Sequence, residues 1–281
     1  MTRQVAGATA PSELLARIVA RRRERLAHAG QSLGPLGTSA SASPSGTVRR
    51  LDDNRFVEAL RARRGRAVIA EVKMGSPRIG SLAGRFDPER VAHAYATHGA
   101  AALSVVVEPD FFGGSYELLA RCVAASGLPA IAKDFVVHPS QLESARAAGA
   151  AAVLLIAAMH APEELANLAA AARALGLAPL VETHTAEDIA KLAGGDWEMV
   201  GINNRDLRTF EVDLERSMRL APTLPGGALK IAESGIRSSA EIGRLAQAGF
   251  DGFLIGESFL LAKDPGGALA ALLAAPGEGV A

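Results

Sequence analysis

A short apolar run, a loop and then a longer helical pattern recur eight times from residue 67 onward, and this repetition restricts the chain to very few architectures. The runs fall at 67–73, 102–107, 130–133, 151–156, 179–182, 199–203, 229–233 and 252–255. Each is nearly continuous in apolar residues, the mark of strands covered on both faces. Helical patterns follow, among them 141–148, 162–175 and 239–248, the first and last ending at Gly149 and Gly249. Strands alternating with helices imply a parallel sheet jacketed by helices. Eight of them in about 200 residues imply an α/β fold of the closed (β/α)8 TIM-barrel type. An open doubly wound sheet is the competitor, but no Gly-x-Gly-x-x-Gly turn follows the first strand to favour it.

Ahead of the barrel, residues 12–29 read as a helix with Leu14, Leu15, Ile18, Val19 and Leu26 in one apolar stripe and Gly30 placed to end it. The basic run Arg21, Arg22, Arg23 and Arg25, with Glu24 among them, reads as a solvated face. Residues 31–47 turn to Ser, Gly, Ala and Pro, a composition that buries too little apolar surface to offset the entropy of ordering it, and read as a flexible linker. A short helix at 56–64 then leads into the first strand. The expected organisation is an N-terminal helical extension (1–66), a barrel (67–275) and a disordered tail (276–281).

Thirty basic residues balance thirty acidic ones, so charge gives no reason to expect nucleic acid or an anionic membrane as a partner, and any phosphate site has to be local. Cys122 is the single cysteine and falls in a helical pattern, which excludes an intrachain disulfide or a cysteine metal cluster and makes it a small core residue. The histidines show no metal-ligand spacing. No apolar segment reaches the length that crosses a bilayer and no signal-like stretch opens the chain, so a cytosolic protein is expected.

In such a barrel the chemistry sits at the C-terminal ends of the strands. There the first strand brings Glu71 and Lys73, two positions apart and so on one face. A buried carboxylate is costly unless paired, so the two form either an acid–base pair or a salt bridge closing the strand. The third strand ends in Lys133, the fifth in Glu182, the sixth in Asn203 and the seventh in Glu233 and Ser234. The loops after strands seven and eight read Glu233-Ser234-Gly235-Ile236 and Ile255-Gly256-Glu257-Ser258, where glycines let backbone N–H groups approach an oxyanion and Ser234, with Ser76 of the first loop, adds hydroxyl donors. Arg205 stands beside Asn203 as a further binding candidate, although Asp206 is near enough in sequence to pair with it. Phe111, Phe112 and Phe135 follow strands two and three, where rings either line an apolar pocket or pack the rim.

These segments resemble indole-3-glycerol phosphate synthase. The likeness runs in order through Ile69 to Lys73 with Ser76 and Pro77, Phe112 to Ser115, Lys133 to Phe135, Ala145 to Gly149, Val153 to Ile156, Leu180 to Glu182, Gly201 to Leu207, Glu233 to Ile236 and Gly256 to Ser258. The resemblance implies ring closure, decarboxylation and dehydration of 1-(2-carboxyphenylamino)-1-deoxyribulose 5-phosphate to indole-3-glycerol phosphate, without a cofactor. The implied partner is that small phosphosugar–anthranilate molecule, not nucleic acid or membrane; oligomeric state is left open, with a monomer expected. It further implies Lys133 as general acid for ring closure and Lys73 on the substrate carboxylate or as acid in dehydration. Glu182 and Glu71 would be a base and its partner, with Asn203 orienting the substrate. Ser76, Ser234, Gly235, Gly256 and Glu257 would hold the phosphate, Glu257 through its backbone N–H alone because its carboxylate would repel the anion. The chain departs from the family pattern at Met74-Gly75, where a basic residue commonly follows the lysine, at Val106 to Glu108, and at Ala132 and Ala151. Those departures leave room for a relative acting on a modified anthranilate. A phosphoribosylanthranilate isomerase, which would carry a cysteine base where Glu71 and Lys73 stand, and a non-catalytic phosphosugar-binding barrel are the other readings.

Overall fold

The computed structural model describes residues 13–28, 50–206 and 208–274; the expected linker at 31–47 and tail at 276–281 lie outside them. Eight strands, β1 (Ala67–Val72), β2 (Ala102–Val106), β3 (Ala130–Lys133), β4 (Ala152–Ile156), β5 (Ala178–Thr183), β6 (Met199–Asn203), β7 (Leu229–Glu233) and β8 (Gly252–Ile255), close into a barrel when β8 pairs in parallel with β1. The strands expected at 130–133, 199–203, 229–233 and 252–255 have those limits, and the others shift by one residue at one or both ends. Lys73 consequently lies just past the β1 ladder, free to fold back on Glu71.

Side chains alternate across the barrel wall. Those pointing inward, including Ile69, Ile131, Leu154, Leu180, Met199, Ile231 and Leu254, form one apolar cluster that fills the barrel. The alternate set, including Val68, Val105, Val153, Val181 and Phe253, packs in a second cluster with the surrounding helices. Neither face of the sheet meets water, which is why the strands read as unbroken apolar runs.

The helices are α1 (Glu13–His28), α2 (Arg55–Arg61), α3 (Pro88–Thr97), α4 (Pro109–Phe112), α5 (Tyr116–Ser126), α6 (Pro139–Ala147), α7 (Pro162–Ala174), α8 (Ala186–Ala190), α9 (Glu215–Leu220), α10 (Ser239–Gln247), α11 (Glu257–Leu260) and α12 (Pro265–Ala274). Helix α6 begins two residues before the expected 141 because Pro139 starts it. His138 is the cap, and proline in the first turn forfeits no helical hydrogen bond. Cys122 is buried in α5, where burial pushes its thiol up to about 12, consistent with a core residue. Among the described residues no helix is long and apolar enough to cross a membrane.

The two ends of the barrel are treated differently. Helix α2 plugs the N-terminal end with Phe56, Val57 and Leu60, all fully buried in the inner cluster. Asn54 fixes the plug: Oδ1 accepts from the Phe56 N–H at 2.8 Å, and Nδ2 donates to the carbonyls of Ala151 and Gly176 at 2.9 and 3.0 Å. The C-terminal end, where the polar strand-end residues emerge, holds a cavity.

Candidate active site

Alternate strands contribute one layer of inward side chains in a barrel of this kind. At the C-terminal end the layer from β1, β3, β5 and β7 is Glu71, Lys133, Glu182 and Glu233, seated on the apolar cluster below. Lys133 Nζ donates to Glu182 Oε2 at 3.2 Å and to Glu233 Oε2 at 3.0 Å. Lys73 Nζ donates to Glu71 Oε1 at 2.8 Å. Room for the carboxyl groups comes from the intervening strands: a Cβ on Gly201 would collide with Glu233 Oε1, and one on Gly256 with Glu71. The two glycines are absences of side chain that the acids occupy.

Burial opposes charge throughout the layer. It pulls the Lys133 amine down, but Glu233, Glu182 and Glu71 together outweigh it and hold the amine above its ordinary value. It pushes Glu182 up, yet Lys133 and His184 reverse the shift and bring that carboxyl to about 2. Glu233 faces the same lysine, but burial and the charge on Glu182 carry it up to about 8. One ammonium compensates one buried carboxylate, so the second keeps its proton, and the Glu182–Glu233 pair holds a single proton at neutral pH. In the sequence Glu233 is visible only as a strand end; in the structure it is Glu233, across Lys133, that shares the lysine with Glu182, while Glu71 is taken by Lys73.

A cavity of about 370 Å³ opens above this layer. Its wall contains Glu71, Lys73, Ser76, Phe112, Lys133, Phe135, Glu182, Asn203, Arg205, Ser234, Gly235, Gly256 and Glu257, all named from the sequence. Phe111 is not in the wall, so the aromatic side consists of Phe112 and Phe135, with ring centroids 5.8 Å apart, while Phe210 lines the cavity from the Arg205 loop, its carbonyl accepting from Arg205 Nη1 at 3.1 Å. Glu108 sets the position of Phe112 by accepting from the N–H groups of Asp110, Phe111 and Phe112 at 2.9, 2.7 and 3.0 Å.

Across the cavity lie the loops after β7 and β8. Ser234 and Gly235 both adopt left-handed backbone, at φ 68° and 83°. A non-glycine residue held there stores strain that its surroundings must maintain. Asn204 maintains it: Nδ2 donates to the carbonyls of Glu233 and Ser234 at 3.1 and 3.2 Å, while Oδ1 accepts from Ser217 Oγ at 2.7 Å. Arg205 does not pair with Asp206, which is bound instead to Arg216 at 3.4 Å. Arg205 Nη2 meets Glu257 Oε2 at 3.2 Å, and Arg78 contacts the other carboxylate oxygen. Burial would raise Glu257, but Arg78 and Arg205 hold it below the ordinary carboxylate range. With both arginines and Arg237 in the same wall, the charge of Glu257 is compensated locally. Arg78 and Arg237 carry no strand-end signal and are missed from the sequence. The departure Met74-Gly75 has a local cause, because Gly75 pairs with Ser81 in a two-residue hairpin where a Cβ would lie 2.9 Å from the Gly80 carbonyl oxygen.

Helix α1 roofs the aromatic side; Arg21, Arg23, Glu24 and Arg25 are exposed, as a solvated basic face implies, and that expectation is corrected at Arg22. Leu14, Leu15 and Ile18 line the cavity. Arg22 is buried and makes a two-point pair with Asp134, next to Lys133, with Nε to Oδ1 at 3.0 Å. Arg25 clasps Asp110 at 2.9 and 3.0 Å. The basic run is amphipathic in a second sense, since one side of it docks on acids that only the folded barrel brings beneath the helix. Asp134 also accepts from Tyr116 Oη at 2.8 Å and Gln141 Nε2 at 3.0 Å. Removing one member of a buried pair leaves the other charge uncompensated. We expect Arg22→Ala to lower stability by about 3 kcal/mol and to raise KM, read by urea unfolding and substrate titration. Wild-type values of both would refute the docking role.

A family model described as indole-3-glycerol phosphate synthase matches residues 15–272, thus including α1 but for its first two residues, α2 and all eight strands. The chain is 40% identical over 266 residues to the indole-3-glycerol phosphate synthase of Bordetella pertussis, covering 94% of this chain and 100% of that protein. It is 46% identical over 208 residues to that of Carboxydothermus hydrogenoformans, covering 74% and 79%. Among solved structures, orotidine 5′-phosphate decarboxylase from Pyrococcus horikoshii superposes with a TM-score of 0.53 at 15% identity, over 66% of this chain and 90% of that one, a likeness of fold alone. Matches that extend from the roof helix through the last strand, in relatives that all carry one description, leave a single assignment: the chain belongs to the indole-3-glycerol phosphate synthase family.

Proposed function

We infer that this protein is a decarboxylating lyase of tryptophan biosynthesis, converting 1-(2-carboxyphenylamino)-1-deoxyribulose 5-phosphate into indole-3-glycerol phosphate, CO2 and water. The observation that carries the reading is Lys133, held between two carboxyl groups of which one is ionised and one protonated, on the floor of a cavity with an apolar side and an arginine-lined side. The anthranilate ring fits the side formed by Phe112, Phe135 and the leucines of α1. The phosphate fits the side formed by Ser76, Ser234, Gly235, Gly256 and the Glu257 N–H, with Arg78 and Arg205 supplying positive charge.

The chemistry follows in three steps. The ring carbon bearing the carboxylate attacks the ketone carbon, and the ketone oxygen takes up a proton as its π pair moves onto oxygen. Loss of CO2 returns the C–C bonding pair to the ring and restores aromaticity. The hydroxyl then leaves as water while a proton is removed from the neighbouring carbon, forming the indole double bond. A lysine held firmly protonated serves best as fixed positive charge for the developing alkoxide, and Glu233, 3.0 Å from it and carrying a proton, is placed to resupply any proton it gives up. Lys73 is placed to meet the substrate carboxylate or to assist departure of the hydroxyl. Glu182 is the ionised carboxylate of the pair and so the one able to accept that proton, with Asn203 orienting the sugar.

The test is direct. Purified protein incubated with the carboxyphenylamino substrate should generate indole fluorescence with stoichiometric release of CO2. Absence of product at high enzyme concentration would overturn the assignment of activity.

A further inference from the structure

His184 follows β5 immediately, and strand alternation turns it to the same side as Glu182. Thr183 between them points away and donates from Oγ1 to the Gly201 carbonyl at 2.7 Å, fixing the register of that turn. The imidazole stands behind Glu182 and outside the cavity wall. It is only 8% exposed, and neither ring nitrogen meets hydrogen-bond geometry. Nε2 nevertheless lies 3.3 Å from Glu182 Oε1, and Nδ1 lies 4.0 Å from Asp188 Oδ2.

The two carboxylates differ in how well they are already supplied. Asp188 Oδ2 accepts the His184 backbone N–H at 3.1 Å, and its Oδ1 lies 3.4 Å from Lys191 Nζ. Glu182 has Lys133 on Oε2 and shares a further hydrogen bond with the Glu233 carboxyl, while Oε1 faces the imidazole. A buried imidazole with an unused N–H beside a carboxylate oxygen gains most by closing on that oxygen, which a small rotation of either side chain achieves.

We propose that His184 is a positioning residue for Glu182: its Nε2–H engages Oε1 of the ionised carboxylate and so keeps Oε2 directed at Lys133. This rests on the synthase reading, in which Glu182 removes a proton from the substrate. It adds a residue that touches neither substrate nor reacting atoms, and it accounts for a polar group buried where an apolar one would be cheaper to bury.

The two ring nitrogens allow a test that separates positioning from packing. The amide nitrogen of glutamine replaces Nε2, the one facing Glu182, whereas that of asparagine replaces Nδ1, the one facing Asp188. Steady-state kinetics on wild type, His184→Leu, His184→Gln and His184→Asn, with thermal unfolding of each, should show kcat reduced about tenfold or more in the Leu and Asn variants. KM should stay within about twofold, because the residue is outside the cavity wall, and Gln should recover most of the wild-type kcat. Should the Leu variant fail to fold, the Gln and Asn pair, both polar, still decides the matter. Equal kcat in Gln and Asn, rescue by Asn alone, or a Leu variant with wild-type kcat would each overturn the proposal. Failure of the wild-type protein to form product would instead overturn the synthase reading, so the two failures are distinct.

Discussion

Lys133→Met should lower kcat by about 10³-fold or more while leaving substrate binding within reach of measurement. Two effects combine in that estimate: a fixed charge over a developing alkoxide and a positioned proton donor each contribute on the order of 10²–10⁴ in comparable sites, and together they correspond to at least about 4 kcal/mol of barrier. Binding survives because the phosphate side of the cavity, with Arg78, Arg205 and the 234–235 turn, lies on other loops and makes no contact with Lys133 Nζ, whose partners are Glu182 and Glu233. Methionine replaces the alkyl stem with similar volume, so the loss is one of charge and not of packing. It also strips the compensating ammonium from between two buried carboxyl groups, so the pair should take up a second proton near neutrality. Single-turnover measurements of indole fluorescence, with substrate titration of the same variant, provide the check. Turnover near the wild-type rate would mean that the charge over the ketone oxygen comes from another group.

The features legible in the sequence are those written in local periodicity. Unbroken apolar runs at a spacing that admits helices between them give the barrel, and the rule that its chemistry sits at the strand ends then selects Glu71, Lys133, Glu182 and Asn203 without any knowledge of which residues touch. What the sequence does not display is pairing across the barrel. Glu233 and Lys133 are far apart in the chain, so that the lysine answers Glu182 and Glu233 is a consequence of closure and shear. Gly201 reads as an ordinary small residue on strand six and Gly256 as a phosphate-loop glycine after strand eight, and only the interior shows that each also vacates the volume of a neighbouring carboxyl. Arg22 reads as solvent-facing because its helix is amphipathic by the usual criterion; its acid partner lies more than a hundred residues away. Arg78 sits in the hairpin that follows β1, where no periodicity operates, and it joins the cavity through Glu257.

Glu233→Gln should make the protein more stable at alkaline pH and less active at every pH, and the signs follow from the direction in which each carboxyl is shifted. Glu233 is raised from 4.5 to about 8 in the fold, so its contribution to stability is complete below about 4.5 and is lost as pH climbs through about 8. Glu182 is lowered from 4.5 to about 2, so its contribution is present above about 4.5 and disappears as pH falls toward 2. Between roughly 4.5 and 8 the folded state alone retains the Glu233 proton, and that group erodes stability by up to about 1.4 kcal/mol per pH unit. The amide fixes the uncharged form, its carbonyl oxygen still available to Lys133, and removes this slope. Urea midpoints of both proteins from pH 6 to pH 9 should therefore diverge in favour of the variant and become parallel above about 8; curves parallel over the whole range would show that Glu233 is ionised in the fold. The cost is catalytic. An amide has no proton to pass to Lys133, so kcat should fall by about 10²-fold even where the variant is the more stable of the two. A residue whose neutral mimic stabilises the protein while stopping its chemistry is retained for the proton it carries, and the pH at which wild-type turnover declines should coincide with the pH at which its stability stops falling.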